Sequence, residues 1–581
     1  MTTRPPRTSG AFAAQLPYAP PPTSRRELDE AIGALWDGAP RFAALGLEDR
    51  IKLLRAMQAG YTRIAGRTVV ASCRAKRIVL GTPLEGEEWS LGPWPVFRQF
   101  RLLQDSLSAL REGKLPLVSE PEWGANGSMR VGLYPGDTLD SLLLPGTRAE
   151  VHFRSGLGLS TLAARARLHR GGKYPDRIAL VLGAGNAAAI PCMDILTKMF
   201  NEGMVCLLKM HPLNSYLGPL YEEAFATAIE QDCLRIVYGG ADIGAYLCEH
   251  QGIGEIHLTG SAETHEQILW GDREGRKQRK SQTRPVHQKR VTAQLGCITP
   301  LLIVPGPYLD WQLAAQAGGI AGAIAHNAGC NCTTPRLIVT PRRWVQRDAF
   351  LRHLEAALAT APLRLAYYPG ATERWQFLAQ QRPGIRFVGS TVGGMLPWTL
   401  VPDLDPVDEH EPLYSLEPFC PLVSEVQVAS ADPQEYLEEA VNFVNRRVWG
   451  TLSAMMVVHP RTLEDPALAA AIDRAISRLR YGTVGINVWP QLSFSLAGTP
   501  WGAHPTSTAA DAQSGRGWVH NTSMLEGFEK VVLRDPMSSR RKQPYSAGHR
   551  TSHLLFRRLA TVERGSGWAG FPGVLEASFR G

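Results

Sequence analysis

Short apolar runs alternate with helical patterns between residues 177 and 261. The runs are five to seven residues long, which is the length of a buried strand. The predicted strands are 178–182, 204–210, 234–238 and 255–259, and the predicted helices between them are 190–202, 217–231 and 241–249. Because buried strands that alternate with helices pair in parallel, this part of the chain predicts a parallel sheet covered on both faces.

The same alternation returns after residue 297. The predicted elements there are strands 300–304, 337–340 and 363–367 and helices 310–325 and 347–359. Residues 27–115 have helical spacing, whereas 128–153 alternates between apolar and polar residues and contains turn signals, as a β-hairpin does. A last strand is predicted at 526–533. The chain therefore combines two α/β regions with a β arm.

Residues 271–290 interrupt the pattern with eight Lys or Arg and little apolar content. We interpret this insert as a solvated loop. The alternative is a contact for the phosphates of a cofactor or of coenzyme A. Without interleaved aromatic residues it does not indicate a nucleic-acid partner.

The length, charge and composition of the chain limit the kinds of protein that it can be. At roughly 100–200 residues per domain, 581 residues indicate two to four domains. The net charge of +8 suits anionic small molecules such as phosphorylated cofactors. No apolar run approaches the ~18 residues of a membrane span. Residues 1–26 lack the apolar segment of a signal peptide and are interpreted as a flexible leader. Nine scattered cysteines indicate reduced thiols and a cytoplasmic protein.

A glycine turn, Gly183-Ala-Gly185-Asn-Ala-Ala188, follows the first predicted strand and precedes a helix. It matches a relaxed dinucleotide fingerprint, in which backbone amides face a pyrophosphate. The next strand ends at Lys209 and His211, where an ordinary NAD site has an acidic residue. A tight strand–helix turn without a ligand explains the motif equally well.

A second turn, from Asn327 to Arg336, contains Cys330 and Cys332 between a helix and a strand. A cysteine in such a turn can act as a nucleophile if positive charge or helix-end amides stabilise its thiolate. A buried, inert cysteine is the simpler interpretation. The pair could also form half of a metal site, but no second pair has zinc-like spacing, and we predict no metal.

Together these segments resemble the aldehyde dehydrogenase superfamily over roughly residues 27–534. The matching segments occur in the family's order: GAGNAAAIP, LLKMHP, HLTGSAE, VTAQLG, NAGCNC, EPFCP, GTVGINVW and MLEGFEKVVL. The resemblance implies an NAD(P)-dependent oxidoreductase with a thioester intermediate on Cys332, which lies three residues after Gly329. Cys330 is then a packing residue or, alternatively, a redox partner of the nucleophile.

The resemblance also implies the roles of the other site residues. Asn186 would donate a hydrogen bond to the substrate oxygen. The cofactor would be bound by residues from three segments: Lys209 with His211, Gly260 with Ser261, and Glu417 with Phe419. Lys209 would contact the adenosine ribose, Ser261 a phosphate and Glu417 the nicotinamide ribose.

The chain departs from the family at Gln294, where hydrolytic members have a glutamate that activates water. Glutamine cannot take a proton, and loss of a general base costs about 10²–10⁴-fold in a step that needs it. Three outcomes are open. A thiol such as coenzyme A replaces water, as the His211-Pro212 resemblance to acylating members suggests; another base acts, Glu263 or Glu417 being nearest by motif; or turnover has been lost.

The cofactor can be NAD or NADP. Members strict for NAD often have a glutamate where this chain has Pro212, and without that carboxylate nothing repels a 2′-phosphate. His211 is a candidate partner for that phosphate.

The expected fold is α/β, aldehyde dehydrogenase-like, with two Rossmann-like parallel-sheet domains and an oligomerisation arm. The predicted divisions are a leader at 1–26, a cofactor domain at 27–127 and 154–296, a catalytic domain at 297–518, the arm at 128–153 and 519–534, and a tail of unknown role at 535–581. The arm implies a homodimer or homotetramer, because exposed strand edges are usually covered by a partner. The competing hypothesis is a non-catalytic binding protein on the same fold.

Overall fold

The computed structural model describes residues 19–116, 119–123, 129–154, 156, 169, 177–380, 382–428, 430–537 and 542–581. Strands occur along the whole described chain. They are β1 (Glu122–Trp123), β2 (Met129–Tyr134), β3 (Arg148–Phe153), β4 (Ile178–Leu182), β5 (Val205–Lys209), β6 (Leu234–Val237), β7 (Glu255–Thr259), β8 (Arg290–Gln294), β9 (Pro300–Ile303), β10 (Leu337–Pro341), β11 (Arg364–Leu365), β12 (Arg386–Val388), β13 (Met395–Leu396), β14 (Trp398–Leu404), β15 (Leu422–Val428), β16 (Ser453–Val457), β17 (Thr483–Ile486), β18 (Pro500–Gly502), β19 (Gly515–Arg516), β20 (Trp518–His520) and β21 (Phe528–Arg534).

Helices connect the strands and cover both sheets. They are α1 (Arg25–Ala44), α2 (Leu47–Ala75), α3 (Glu85–Ser90), α4 (Pro93–Arg111), α5 (Thr138–Leu143), α6 (Ala189–Leu196), α7 (Gly218–Ala224), α8 (Ala226–Glu230), α9 (Ala241–Glu249), α10 (Ala262–Trp270), α11 (Arg273–Ser281), α12 (Asp310–Ala325), α13 (Arg347–Thr360), α14 (Ala371–Ala379), α15 (Pro433–Arg447), α16 (Pro466–Arg478), α17 (Gln491–Leu496), α18 (Ser552–Thr561) and α19 (Phe571–Phe579). Among these described helices, none combines the length and apolar character needed to cross a membrane.

The first sheet has six strands in the order β19-β8-β7-β4-β5-β6. All neighbours pair in parallel except β19, which is antiparallel to β8. The four strands predicted between residues 177 and 261 are confirmed, and β4 and β5 are buried along their whole length. Since the strands run in parallel, their carboxyl ends bring the glycine turn, Gly260 and Gln294 to one edge of the sheet.

The second sheet has eleven strands in the order β1-β2-β3-β21-β17-β16-β9-β10-β15-β14-β12. The predicted strands in 300–304 and 337–340 are confirmed as its central strands β9 and β10. The strand predicted at 363–367 is only the two-residue β11, which pairs with β13 outside this sheet.

The predicted β arm joins this second sheet. β2 and β3 pair antiparallel, and β21 lies between β3 and β17. The hairpin and the last strand are therefore confirmed as secondary structure, while the divisions between domains and the partner contact stay predictions. Residues 1–18 of the leader and most of 155–176, at the start of the second part of the predicted cofactor domain, lie outside the described residues.

The prediction of a loop at 271–290 was wrong, because nine of these residues form helix α11 with no buried side chain. Its cations pair with carboxylates of the preceding helix: Arg273 and Arg276 contact Glu263, and Lys280 contacts Glu266. Such ion pairs let a helix persist without an apolar face.

The segment 535–581, for which the sequence analysis assigned neither helix nor strand, is folded against the body of the protein. Leu555, Phe556 and Leu559 of α18 and Val574 of α19 belong to the largest apolar core. α18 packs on α3 and α4. The apolar spacing of α18 is that of an amphipathic helix, which the basic composition of the segment obscures.

A buried group of charges fastens this tail to the N-terminal helices. Glu563, only 3% exposed, accepts hydrogen bonds from Arg98 (2.5 Å) and Arg101 (2.7 Å). Arg98 also forms a two-bond pair with Asp140 in α5, at 2.8 Å for each bond. Three distant parts of the chain therefore depend on each other for charge neutralisation.

We predict that Glu563→Gln costs about 3–5 kcal/mol of the free energy of unfolding, because it removes one of the two buried carboxylates that neutralise Arg98. Urea unfolding followed by tryptophan fluorescence measures the change. Glu576→Gln is the matched control, since Glu576 pairs with Arg558 and Arg580 at an exposed site and its loss should leave the midpoint unchanged. Equal midpoints for the two variants would contradict the prediction.

Candidate active site

A cavity of about 440 Å³ lies at the carboxyl ends of β4, β7 and β8. Its lining includes seven of the nine predicted site residues, namely Asn186, Gly260, Ser261, Gln294, Cys332, Glu417 and Phe419. Lys209 and His211 do not line it. The structure therefore brings together segments that are up to 233 residues apart in sequence (186 to 419).

The turn that carries Cys332 follows helix α12. Three consecutive residues, Asn327, Ala328 and Gly329, have φ values of 58°, 55° and 73°. Glycine is required at the third position, because a Cβ there would lie 2.8 Å from the carbonyl oxygen of Cys420. The other two residues adopt this backbone only because surrounding contacts compensate for its strain, which is of order 1–3 kcal/mol each.

The Asn327 side chain supplies much of that compensation. Its Nδ2 donates to the carbonyl oxygens of Asn186 (3.0 Å) and Cys330 (3.2 Å) and to the Asn331 side chain (3.0 Å). Its Oδ1 accepts from Lys76 Nζ and from the Tyr367 hydroxyl, both at 2.9 Å. These hydrogen bonds attach the turn to three other parts of the chain, at Lys76, Asn186 and Tyr367.

Lys76 was not identified from the sequence. It lies at the end of α2, is 5% exposed, and donates to Glu88 (2.8 Å) and to the Asn186 carbonyl oxygen (3.1 Å) as well as to Asn327. Lys76 and Asn327 are 251 positions apart in the chain, so no local sequence pattern indicates this contact.

Asn186 lies directly against the nucleophile turn, as the resemblance implied. Its Nδ2 donates to the Cys330 carbonyl oxygen at 3.0 Å. An amide nitrogen has two hydrogens, so a second donor is available to a ligand in the cavity. The side chain is half-buried at the cavity wall.

Cys332 is half-buried, whereas the eight other cysteines are buried. Burial raises the pKa of the Cys332 thiol far above its ordinary value, and the negative charge of Glu417 adds to the shift. The thiol is therefore protonated at rest and needs a base when it reacts. Burial also raises the pKa of Cys330, to about 11, and its sulfur packs against the carbonyl oxygens of Ala328 and Phe419.

The two carboxylates considered as bases differ in their surroundings. Burial raises the pKa of Glu417 to about 7, although its Oε1 accepts a hydrogen bond from the Cys297 backbone N–H at 3.1 Å. Hydrogen bonds from Arg273 and Arg276 instead lower the pKa of Glu263. A base that must accept a proton near neutral pH is thus better provided by Glu417.

Gln294 ends strand β8 and lines the cavity with 4% of its surface exposed. Its Nε2 donates to the Gly517 carbonyl oxygen at 3.1 Å. Its Oε1 is buried and has no hydrogen-bond partner among the described residues. That oxygen can accept a hydrogen bond from the O–H of a water molecule or from another donor in the cavity.

Ser261 and Gly260 begin helix α10, and Ser261 Oγ accepts from the Thr264 backbone N–H at 3.1 Å. The first turn of such a nine-residue helix offers backbone N–H groups and a partial positive charge to an anion. Lys209 ends β5 nearby in the same sheet. Burial lowers its pKa to about 8. The N-terminus of α10 and the Lys209 side chain are groups of the kind that bind a phosphorylated nucleotide.

His211 is less suited to the role expected of it. Burial lowers its pKa to about 4, with Lys209 adding to the shift, so the ring is neutral at neutral pH. Its Nδ1 accepts from the Leu213 backbone N–H at 3.1 Å, and the ring covers Gly185. The imidazole therefore contributes no positive charge to a bound 2′-phosphate.

Several cavity residues have no motif that would have identified them from the sequence. They are Tyr368, Arg374, Trp449, Gln491 and Trp501. Only Arg374 is a cation, and its guanidinium donates to the carbonyl oxygens of Pro418 (2.8 Å) and Phe419 (3.3 Å). In the part of the chain that the structure describes, no group of three His, Cys, Asp or Glu side chains could hold a metal ion.

Comparison with known proteins identifies the fold and a family match over part of the chain. A model described as the aldehyde dehydrogenase family matches residues 186–365, which contain all the predicted site residues except Glu417 and Phe419. The chain is similar in structure to NADP-dependent glyceraldehyde-3-phosphate dehydrogenase from Bacillus halodurans C-125 (18% identity, 88% of this chain and 92% of that chain, TM-score 0.57). It is also similar to a salicylaldehyde dehydrogenase from Pseudomonas putida G7 (15% identity, 88% and 91%, TM-score 0.56).

At these identities the structural likeness shows a shared fold and nothing finer. It extends over most of the chain, whereas the family match begins at Asn186, within the glycine turn, and includes the turn that carries Cys332. The fold prediction is confirmed, and residues 186–365 match the aldehyde dehydrogenase family.

Proposed function

We propose that the protein is an NAD(P)-dependent oxidoreductase that acts on an aldehyde through a thioester on Cys332. The observation that carries this proposal is the convergence of Cys332, Asn186 and Glu417 on one cavity. A thiol, an amide donor and a carboxylate with a pKa near 7 are the groups that acyl chemistry on a cysteine requires. A non-catalytic binding protein would have no physical need for this set.

Cys332 begins the proposed reaction by attacking the carbonyl carbon of the aldehyde. Glu417, whose charge already acts on the thiol, takes the proton from the sulfur. The carbonyl oxygen becomes an oxyanion, to which the second N–H of Asn186 donates. One such donor is worth about 3–4 kcal/mol in the transition state.

The cofactor is proposed to lie on the side of the cavity formed by Gly260, Ser261 and Glu417, with Lys209 beyond it. A nicotinamide nucleotide, when bound, supplies the hydride acceptor for this oxidation. The helix α10 N-terminus would hold a phosphate, and Lys209 a ribose hydroxyl group. NAD and NADP both remain compatible, and the B. halodurans relative is described as complexed with NADP.

Release of the acyl group from Cys332 is proposed to use water and Glu417. Before this step Glu417 would release to solvent the proton that it took from the thiol. A water molecule would then attack the thioester carbon and give one proton to Glu417, which would pass it to the departing sulfur, leaving a carboxylic acid and the free thiol. Gln294 would position that water through its unpartnered Oε1. This role requires only a hydrogen-bond acceptor, so glutamine in place of glutamate does not prevent hydrolysis.

Transfer of the acyl group to coenzyme A is a second candidate. Gln294 offers no base for water, and Arg273 and Arg276 place positive charge at Glu263, on the cavity wall beside Ser261. The coenzyme A thiol would attack the thioester, and Cys332 would leave as the thiol. The same residues would then also reduce an acyl thioester in the reverse direction.

A homo-oligomer also remains a proposal. β1 forms the outer edge of the large sheet, and its Trp123 is 57% exposed. An exposed strand edge with an apolar side chain is a surface that a second copy of the chain could cover.

Cys332→Ala should abolish formation of reduced nicotinamide while leaving cofactor binding intact, because no other half-exposed thiol lies in the cavity. Nicotinamide absorbance follows turnover, and fluorescence titration with NADPH follows binding. Cys330→Ala is the control and should retain activity within a few-fold. Retained turnover in Cys332→Ala would remove this cysteine from the proposed role.

The rate of acid formation should rise as the pH passes about 7, since Glu417 is a base only when ionised. Glu417→Gln should remove this step and slow release of the acyl group by about 10²–10⁴-fold. Glu263→Gln, the matched control, should change the rate little, because Arg273 and Arg276 hold that carboxylate in its ionised form. Stopped-flow measurement of the first turnover separates acylation from release, and an unchanged pH profile in Glu417→Gln would exclude Glu417 as the base.

An assay of an aldehyde with NAD(P), with and without coenzyme A, distinguishes the two release routes. Hydrolysis gives steady turnover without coenzyme A, and Gln294→Glu should accelerate it. Transfer to a thiol gives a single turnover that becomes catalytic only when coenzyme A is added. If no nicotinamide is reduced in either mixture after the cofactor has been shown to bind, the proposed activity is wrong.

A further inference from the structure

A second cavity, of about 340 Å³, adjoins the active site and is walled by the folded tail. Its inner lining is apolar, with Trp94 of α4, Leu143 of α5 and Trp489 facing Leu559 and Val574 of the tail. The tail thus does more than cover the core, because two of its helices form one side of this cavity.

Polar residues lie on two sides of this tail cavity. On the side nearer the solvent are Asp535, Lys542 and Gln543, of which Lys542 is exposed. Gln543 donates to Asp535 at 3.0 Å, and Thr147 donates to the same carboxylate at 2.5 Å. The buried His326 and Gln491 lie on the side nearer the active site. Apolar walls with a few polar groups are typical of a site for a molecule with an apolar chain.

Only one layer of side chains separates the tail cavity from the nucleophile. Gln491 lines both cavities, and its Oε1 accepts a hydrogen bond from the hydroxyl of Thr333, the residue after Cys332, at 2.7 Å. His326 lines the tail cavity and contacts Asn331, which lines the active site, at 3.2 Å.

We propose that the tail cavity binds the apolar chain of the substrate while its carbonyl carbon lies at Cys332, so that the protein acts on long-chain aliphatic aldehydes or acyl thioesters. This inference rests on the proposed function of Cys332. The chain passes Gln491, whose side chain moves when its hydrogen bond to Thr333 opens. The tail then determines which chain lengths are accepted.

The inference is tested with straight-chain aldehydes from acetaldehyde to decanal. Each methylene that enters an apolar site should raise kcat/KM about fourfold until the cavity is filled. Ser578→Trp fills the cavity from a half-buried position on α19. We expect it to lower kcat/KM for decanal at least tenfold and to leave the value for acetaldehyde within twofold.

Two further variants guard against a folding effect. Leu575→Trp, at another half-buried position on the cavity, should reproduce the result. Ala569→Trp, an exposed position in the same tail that does not line the cavity, should keep the wild-type chain-length profile. If Ser578→Trp and Leu575→Trp lower the values for all aldehydes equally, or leave the profile unchanged, the inference is overturned.

A binding measurement separates this inference from the proposed activity. The fluorescent fatty acid cis-parinaric acid should bind the wild-type protein and Ala569→Trp, and bind Ser578→Trp at least tenfold more weakly. Absence of binding to the wild-type protein would overturn the tail cavity as a chain site. If cis-parinaric acid binds as expected but no aldehyde is oxidised, the proposed function fails and the chain site stands. Reduction of decanoyl coenzyme A with NADPH, compared with oxidation of decanal, distinguishes the two substrate sources.

Discussion

The backbone before Cys332 passes through three consecutive residues in the left-handed region, and only the last of them is glycine. Such a turn persists because Asn327 forms five hydrogen bonds at its centre, to Lys76, Tyr367 and three groups of the turn and the Asn186 loop. The position of Cys332, the proposed nucleophile, relative to Asn186 depends on this one side chain. A buried network of this kind is rigid when every member is satisfied, which suits a site that must hold an oxyanion donor in place.

The position of the C-terminal segment 535–581 also depends on buried polar contacts. Glu563 neutralises Arg98 and Arg101, and this pairing holds α18 over α4, with α19 packed on α18, where both helices line the cavity behind Gln491. Stability and the proposed choice of substrate would thereby be coupled, because the helices that complete the core also form the cavity wall. A tail that did not pack on the core would neither complete the core nor form this wall of the cavity.

The proposed chemistry of acyl release depends on the surroundings of two carboxylates. By its resemblance to hydrolytic family members, the chain has Gln294 at the position of their general base, and glutamine cannot take a proton. Burial gives Glu417 a pKa of about 7, while two arginines keep Glu263 ionised and poorly basic. The pKa values of these two glutamates therefore differ because one side chain is desolvated and the other is paired with arginines.

The sequence by itself determined the strands of the first sheet, the central strands of the second and the motif residues that line the active site, because strand length, turn glycines and motif order are local properties. It predicted the insert at 271–290 incorrectly as a loop, since its helix depends on ion pairs with Glu263 and Glu266. Only the tertiary structure decided the partners of Lys76, the pKa of Glu417 and the cavity formed by residues 535–581. Each of these arises from burial and contact between segments distant in the chain, and neither burial nor such contact is encoded in a local pattern.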